Sequence, residues 1–365
     1  MRELRTYRLG RVEYADGLAL MRLAGEAVRS GSPPETDYLF LLEHPPVVTL
    51  GRGADGRNLL ADPAWLAARG FEVHETDRGG DVTYHGPGQI VAYPVLDLSD
   101  RPDVRRYVAA LEEAMIQICA DLGIAADRHP EHRGAWVRSR KIGAVGVHLS
   151  RWVTSHGLAF NVRPDLSHFQ VIVPCGIADP GLGVTSLEAE LAGAGRGAPP
   201  TAEVEDRLAG HLARALGRRR ADAVPDLTTV SVVPVAEDGR VLLLRRNEAR
   251  GGFWQQVTGR VEGDESPPDA ARRELREETG ADVAVVDLGY RHAFALEPSL
   301  CAARAAPGLT LAEEHAFAAR LPKGFAPRLS DEHAEHALLP PEEAVARLRF
   351  AGLRRAVRLA AGASG

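Results

Sequence analysis

The stretch RGGDVTYHGPGQIVAYPVLDL, Arg78–Leu98, joins a glycine pair, a tight turn and a long apolar run. Paired glycines let a backbone approach a ligand closely, and HGPGQ forces a turn that sets His85 at the edge of a pocket. The run that follows has the character of a buried strand. Taken alone, the segment also reads as an ordinary Gly-rich hairpin. It holds no nucleophile, so any chemistry shaped around it draws on a residue elsewhere in the chain.

Working outward, DYLFLLEHPPVVTLGR reads as a strand, a Pro-Pro break and a second strand, and Glu13–Arg29 repeats apolar residues at helical spacing. Val104–Leu122 is a second amphipathic helix, in which Cys119 beside Ile116 and Ile118 reads as a small core residue. GAWVRSRKIGAVGVHLSRWVTSHGLAFNV then alternates short β-rich runs with glycines, as strands of an antiparallel or mixed sheet do. The composition shifts at Ala192–Pro200, yet TAEVEDRLAGHLARALG after it is a well-formed helix with Thr201 as its cap. The preferred break is Arg218–Leu227, where charge and proline interrupt the pattern before TTVSVVPVAEDGRVLLLRRN opens a new sheet with a hairpin turn at Asp238–Gly239. The expected organisation is a first domain over 1–218, a linker over 219–227 and a second domain over 228–365, both of mixed α/β (α+β) class.

A length of 365 residues accommodates two such domains, each with its own core. With 45% hydrophobic and 26% charged residues, disorder and fibrous structure are excluded as descriptions of the whole chain. A net charge of −6 argues against a general surface for nucleic-acid polymers and leaves any acidic partner to be met locally. Cys119, Cys175 and Cys301 are too scattered for a disulfide framework or a metal-binding spacing, which fits a reducing cytoplasm. The charged N-terminus lacks the apolar core of a signal peptide and no run is long enough to span a bilayer, so a cytoplasmic protein without membrane contact is expected.

Cys175 stands between a proline and a glycine at the end of an apolar β run. A thiol there needs a lowered pKa to act as a nucleophile, and a nearby ammonium group supplies one. Lys141, flanked by apolar residues and glycines in RKIGAVGVH, is unusually placed for a solvated lysine. Brought beside Cys175, it would stabilise the thiolate and shuttle a proton.

In this order LEHPPVVTLGR, RGGDVTYHGPGQIVAYPVLDL, GAWVRSRKIGAVGVH, SHGLAFNV and VPCGI followed by GVTSL resemble the bacterial lipoyl(octanoyl) transferases, over nearly all of residues 1 to 218. The resemblance implies a biotin/lipoate-ligase-like mixed sheet with flanking helices. It also implies octanoyl transfer, without a cofactor, from octanoyl-acyl carrier protein to a lysine of lipoyl domains. Those acceptors belong to 2-oxoacid dehydrogenase complexes and the glycine cleavage H protein. By position, Cys175 is the acyl-accepting nucleophile and Lys141 its activating partner. The acyl group would lie against Arg78, Gly79, Gly80, Asp81, Val82, Thr83, Tyr84 and His85, against Ala144, Val145 and Gly146, and against Gly157, Leu158 and Ala159. Small residues leave room for an eight-carbon chain, and backbone N–H groups steady an oxyanion. The competing class is the ATP-dependent lipoate and biotin ligases, which share the Gly-Gly stretch but need no cysteine. Here HGPGQ replaces the polar HD usual after their glycines.

In the second domain, Glu274, Glu277 and Glu278 crowd one side of a helix bounded by Ser266 as cap, Pro267 at the first position and Gly280 after the last turn. Such a run is also what a solvated acidic face interleaved with arginines looks like. Gly259, Glu265, Arg273, Glu274, Leu275, Glu277, Glu278 and Gly280, however, match the Nudix box at every position but the last, where Ala281 replaces a larger aliphatic residue. Residues 228 to 359 thus resemble the Nudix hydrolases. The resemblance implies an α/β/α sandwich and Mg- or Mn-dependent cleavage of a nucleoside-diphosphate-type nucleotide. Glu274, Glu277 and Glu278 would hold the metal, and Arg273 would orient a glutamate. FWQQVTGRVEGDE is similar to the branch acting on dihydroneopterin triphosphate. Glu332 and Glu335 offer a further ligand or base, or are merely solvated. A non-hydrolysing binding module is the alternative for this domain.

Overall fold

The computed structural model describes residues 1–173, 179, 181–296 and 308–362. The chain divides into two compact units whose main boundary lies between Val224 and Pro225.

The first part of the chain runs through β1 (Glu3–Arg11), α1 (Tyr14–Ser30), β2 (Thr36–Glu43), β3 (Val47–Leu50), α2 (Pro63–Ala68), β4 (Glu72–Glu75), β5 (Val82–His85) and β6 (Gln89–Val95). It continues with α3 (Val104–Asp121), β7 (Asp127–Arg128), β8 (Ala135–Val137), β9 (Arg140–Ser150), β10 (Val153–Asn161), β11 (Gly183–Val184), α4 (Leu187–Ala192), α5 (Thr201–Leu216) and β12 (Arg219–Ala223). Among the described residues the large sheet has the order β12-β1-β2-β6-β10-β9-β8-β7, with β11 beside β9, and β4-β3-β5 form a separate small sheet. Strand β6 is buried at every position because it lies between β2 and β10 in the middle of the large sheet. Leu111, Met115 and Ile118 of α3 and Leu208 and Leu212 of α5 pack with Leu41, Ile90, Leu158 and Phe160 into the main core. Cys119 belongs to that core and is fully buried. Gly143 lets β9 pass close beneath α3, where a Cβ would displace the Met115 side chain.

Two local expectations are corrected. Thr201 is the first helical residue of α5, Pro200 occupies the cap position, and no side-chain hydrogen bond caps the helix. Arg219–Ala223, expected within a linker, instead form β12, which pairs in parallel with β1 from Glu3↔Arg219 to Tyr7↔Ala223. The charges that suggested a linker are satisfied at the sheet edge. Arg218 Nε donates to Asp37 at 2.6 Å, and Arg220 is paired with Asp206 at 2.6 Å.

The second part contains β13 (Leu227–Val235), β14 (Val241–Arg246), β15 (Trp254–Gln255), β16 (Val257–Arg260), α6 (Pro267–Thr279), β17 (Val285–Ala295), β18 (Leu311–Arg320), β19 (His333–Leu339), α7 (Pro341–Arg347) and α8 (Ala351–Gly362). Among the described residues its sheet has the order β15-β14-β13-β18-β17, with β16 on β13 and β19 on β14. The two-residue period of a strand sends Val230 and Val232 towards Ala271 and Leu275 of α6, and Val233 and Val235 towards Leu353, Ala356 and Val357 of α8. The result is an α/β/α sandwich. Ala281 is buried in the α6 layer. No helix among the described residues is long and apolar enough to cross a membrane.

Candidate active sites

A cavity of about 450 Å3 in the first unit gathers most of the residues singled out there. Arg78, Gly79, Gly80, Asp81, Thr83, His85, Lys141, Ala144, Val145, Gly146, Gly157, Leu158 and Ala159 all line it. The glycines are there because backbones meet. Gly79 N donates to Val147 O at 2.9 Å, Gly80 has φ +91°, and a Cβ on Gly157 would overlap the Ala92 carbonyl. Buried Arg78 anchors this loop to β3: its Nη2 donates to Thr49 O at 2.6 Å and its Nε to Thr49 Oγ1 at 3.1 Å. Asp81 accepts from Asn58 Nδ2 at 2.5 Å and from Val82 N at 2.7 Å.

Val82 and Tyr84 depart from the expected lining. Successive residues of β5 point to opposite faces, so Thr83 and His85 reach the cavity while Val82 and Tyr84 enter a separate core with Leu66, Phe71 and Phe169. Tyr84 Oη lies 2.8 Å from His168 Nδ1 there.

His85 begins a buried polar chain that ends on the strand of Lys141. Its Nδ1 is 2.7 Å from Gln89 Oε1, Gln89 Nε2 donates to Asn161 Oδ1 at 2.9 Å, and Asn161 Nδ2 donates to Thr185 O at 2.9 Å. Thr185 N in turn donates to Lys141 O at 2.9 Å. The acceptor at Gln89 assigns the imidazole proton to Nδ1 and leaves Nε2 as an acceptor. Burial lowers the His85 pKa to about 3, so the ring is neutral near pH 7. Lys141 is itself buried, at 7% exposure, with Nζ 4.9 Å from the centre of the Trp136 ring. Among the described residues it has no carboxylate partner. Cys175 lies outside the described residues. Val173 before it donates from N to Asn58 O at 2.8 Å, and Gly183–Val184 after it pair with Arg140–Lys141.

Several groups around the cavity escaped the sequence reading. Tyr14, Tyr93, His132 and His156 line it, as do Val104, Arg105 and Val108 from α3. His156 Nε2 is 2.8 Å from Asp77 Oδ1, and Tyr93 Oη is 2.7 Å from His44 Nε2. His44 Nδ1 is 2.7 Å from Val12 O, so the His44 proton sits on Nδ1 and Tyr93 donates to Nε2. Only Val104 and Val108, four apart on one helix face, carried a local signal.

In the second unit the sequence-derived boundaries of α6 hold: Ser266 Oγ accepts from Asp269 N, Pro267 opens the helix and Gly280 closes it with a left-handed φ of 76°. Arg273 organises the acidic face. It donates to both Glu265 oxygens at 3.2 and 2.7 Å, to Glu274 at 2.8 Å, to Glu277 at 3.1 Å and to Arg260 O at 2.8 Å. Its bonds to Glu265 raise its pKa and depress that of Glu265. Gly259 lies under Glu274, whose carboxyl a Cβ would overlap, and burial raises the Glu274 pKa. Burial also acts upwards on Glu278, but bonds from His333 at 2.6 Å and Ser330 at 2.7 Å outweigh it and lower the pKa. Among the described residues no three His, Cys, Asp or Glu side chains converge in a geometry ready for an ion. Glu332 and Glu335 are taken up in ion pairs, with Arg250 at 2.7 Å and Arg245 at 2.8 Å.

Two family matches define the class. Residues 13–213 match the lipoyl protein ligase A/B catalytic domain and residues 225–359 match the NUDIX domain. The chain is 50% identical to an octanoyltransferase of Myxococcus xanthus, over 99% of this chain and 99% of that protein. It is 52% identical to an octanoyltransferase of Solibacter usitatus, over 52% of this chain and 84% of that one. The solved E. coli dihydroneopterin triphosphate pyrophosphohydrolase is 33% identical, covering 36% of this chain and 92% of its own, with a TM-score of 0.34. The chain belongs to the octanoyltransferase family of acyltransferases and carries a NUDIX domain at its C-terminal side.

Proposed function

We propose that the first unit moves an octanoyl group from octanoyl-acyl carrier protein to the lysine of lipoyl domains, through a thioester on Cys175. The Cys175 thiolate attacks the thioester carbonyl and the carrier thiol leaves. The acceptor amine then attacks the enzyme thioester and Cys175 leaves as thiolate, one proton being lost from the ammonium overall. Lys141 carries and returns the proton, and its charge favours the thiolate. Backbone N–H groups of the glycine-rich walls steady the oxyanion. The observation behind this reading is a buried lysine with no carboxylate partner among the described residues, in the same small-residue cavity as Arg78–Asp81, Thr83 and His85. Such thiol chemistry suits a reducing cytoplasm.

Intact-protein mass after mixing with octanoyl-acyl carrier protein, without ATP, tests the covalent step. An octanoyl adduct in wild type and none in Cys175→Ala is the expected result. Transfer that appears only with ATP, with no adduct in either protein, would instead mark a ligase. Lys141→Ala is expected to slow transfer by about a hundredfold or more while the protein stays folded by circular dichroism.

For the second unit we propose Mg- or Mn-dependent hydrolysis of a nucleoside-diphosphate-type substrate. Three carboxylates on one helix face are hard oxygen donors suited to such an ion, and Glu274, Glu277 and Glu278 would hold it once released from Arg273, Ser330 and His333. The ion would neutralise the diphosphate and activate water. Phosphate release from a nucleotide panel, lost with EDTA and restored by Mg or Mn, is the expected outcome. No turnover of any nucleotide would leave a binding module.

A further inference from the structure

The cavity of the first unit opens beside two cations that the transfer chemistry does not use. Arg105, in the first turn of α3, and Arg133, in the turn before β8, both line the cavity and both are exposed. Among the described residues neither guanidinium meets a carboxylate, whereas neighbouring Arg128 and Arg140 are paired with Glu113 at 2.6 Å and Glu190 at 2.8 Å. The N-terminus of α3 is capped by Asp103, which accepts from Arg106 N at 3.0 Å, and the first turn after it holds no further acid. Val104, next to Arg105 and also in the lining, leaves 39% of its surface in water. Of the acids in the lining, Asp81 is held by Asn58 and Val82 N, and Glu131 is the other. In a chain of net charge −6, this mouth combines an apolar contact with two uncommitted positive charges.

We propose that Val104, Arg105 and Arg133 form the landing surface for the acidic face of the acyl carrier protein. The proposal rests on the transfer reading above. An acyl group delivered on a flexible arm enters the cavity while its carrier stays outside, so the carrier must be met at the rim. Arginine is enriched among the residues that carry binding energy, and complementary charge speeds encounter. The acids of the carrier fill the places that Glu113 and Glu190 fill beside Arg128 and Arg140.

The test uses the full chain and compares octanoyl-acyl carrier protein with octanoyl-4′-phosphopantetheine and octanoyl-pantetheine as donors. In Arg105→Glu/Arg133→Glu, kcat/KM for the carrier-borne donor is expected to fall by about tenfold or more, mainly through KM. That loss should exceed the loss on either small donor at least about fivefold. The wild-type preference for the carrier should also fade with added salt, and the variant should be less salt-sensitive. Equal losses on the carrier and on the phosphorylated arm alone would assign the arginines to the arm phosphate and overturn the proposal. An unchanged carrier KM, or a rise confined to the lipoyl-domain KM, would overturn it as well. A wild-type enzyme that accepts no carrier-borne octanoyl group without ATP would instead sink the transfer reading itself.

Discussion

Gly157 sits where β10 passes so close to β6 that a methyl group would overlap the Ala92 carbonyl, whereas a Cβ on Gly79 would approach Val147 O to 3.3 Å. Gly157→Ala is therefore expected to cost about 1–3 kcal/mol of stability, read as a lower thermal midpoint, and Gly79→Ala less. Equal midpoints would mean that the crossing relaxes freely. Two buried histidines of the same region set an acid limit. Burial lowers the His44 pKa to about 4 and that of His85 to about 3, from an ordinary 6.5. Below pH 6.5 the unfolded chain takes up protons that the folded one refuses, so this contribution is complete above 6.5 and lost as pH falls towards 4. Each histidine removes about 1.4 kcal/mol per pH unit in that window. Urea midpoints between pH 7 and 4.5 should show the decline, with a shallower slope in His85→Asn. The cavity position of His85 was legible from the turn HGPGQ, but the bond from its partner Gln89 to Asn161 was not, because 72 residues separate those two in sequence.

Helix α6 separates stability from chemistry within one element. Ser266 caps it, with Oγ also donating to Asp269 Oδ2 at 2.5 Å, and Ser266→Ala is expected to destabilise the second unit by about 1 kcal/mol without abolishing hydrolysis. Glu277→Gln removes a half-exposed carboxylate and should do the reverse, ending metal-dependent turnover with little change in melting. Loss of turnover in the capping variant, or its survival in Glu277→Gln, would contradict the proposed roles. Cap, first-position proline and terminal glycine are local chemistry, so the ends of α6 were readable from residues 266 to 280. Strand β5 was harder. VTYH names four lining candidates, but only what packs against each face of β5 decides that Thr83 and His85 face the cavity.

The proposed functions give each unit its own chemistry, and full-length variants should separate them. Cys175→Ala is expected to end octanoyl transfer and leave nucleotide hydrolysis intact, and Glu277→Gln to do the opposite, with both activities assayed on the same preparations. Joint loss in either variant would refute the assignment of one activity to each unit. Everything carried by short-range order was legible in the string of residues: the helix at Val104, the hairpin at Asp238–Gly239, the cap and stop of α6, the glycine walls, and the spacing that marks Glu274, Glu277 and Glu278. Capping, turn geometry and apolar periodicity act over a few residues and leave their mark in the string. It took the folded chain to show that Arg219–Ala223 add a strand to β1, that Val82 and Tyr84 turn away from the cavity, and that Arg105 and Arg133 line the same cavity as Lys141. Those outcomes depend on strand pairing and close packing between residues far apart in the chain, for which no local pattern exists.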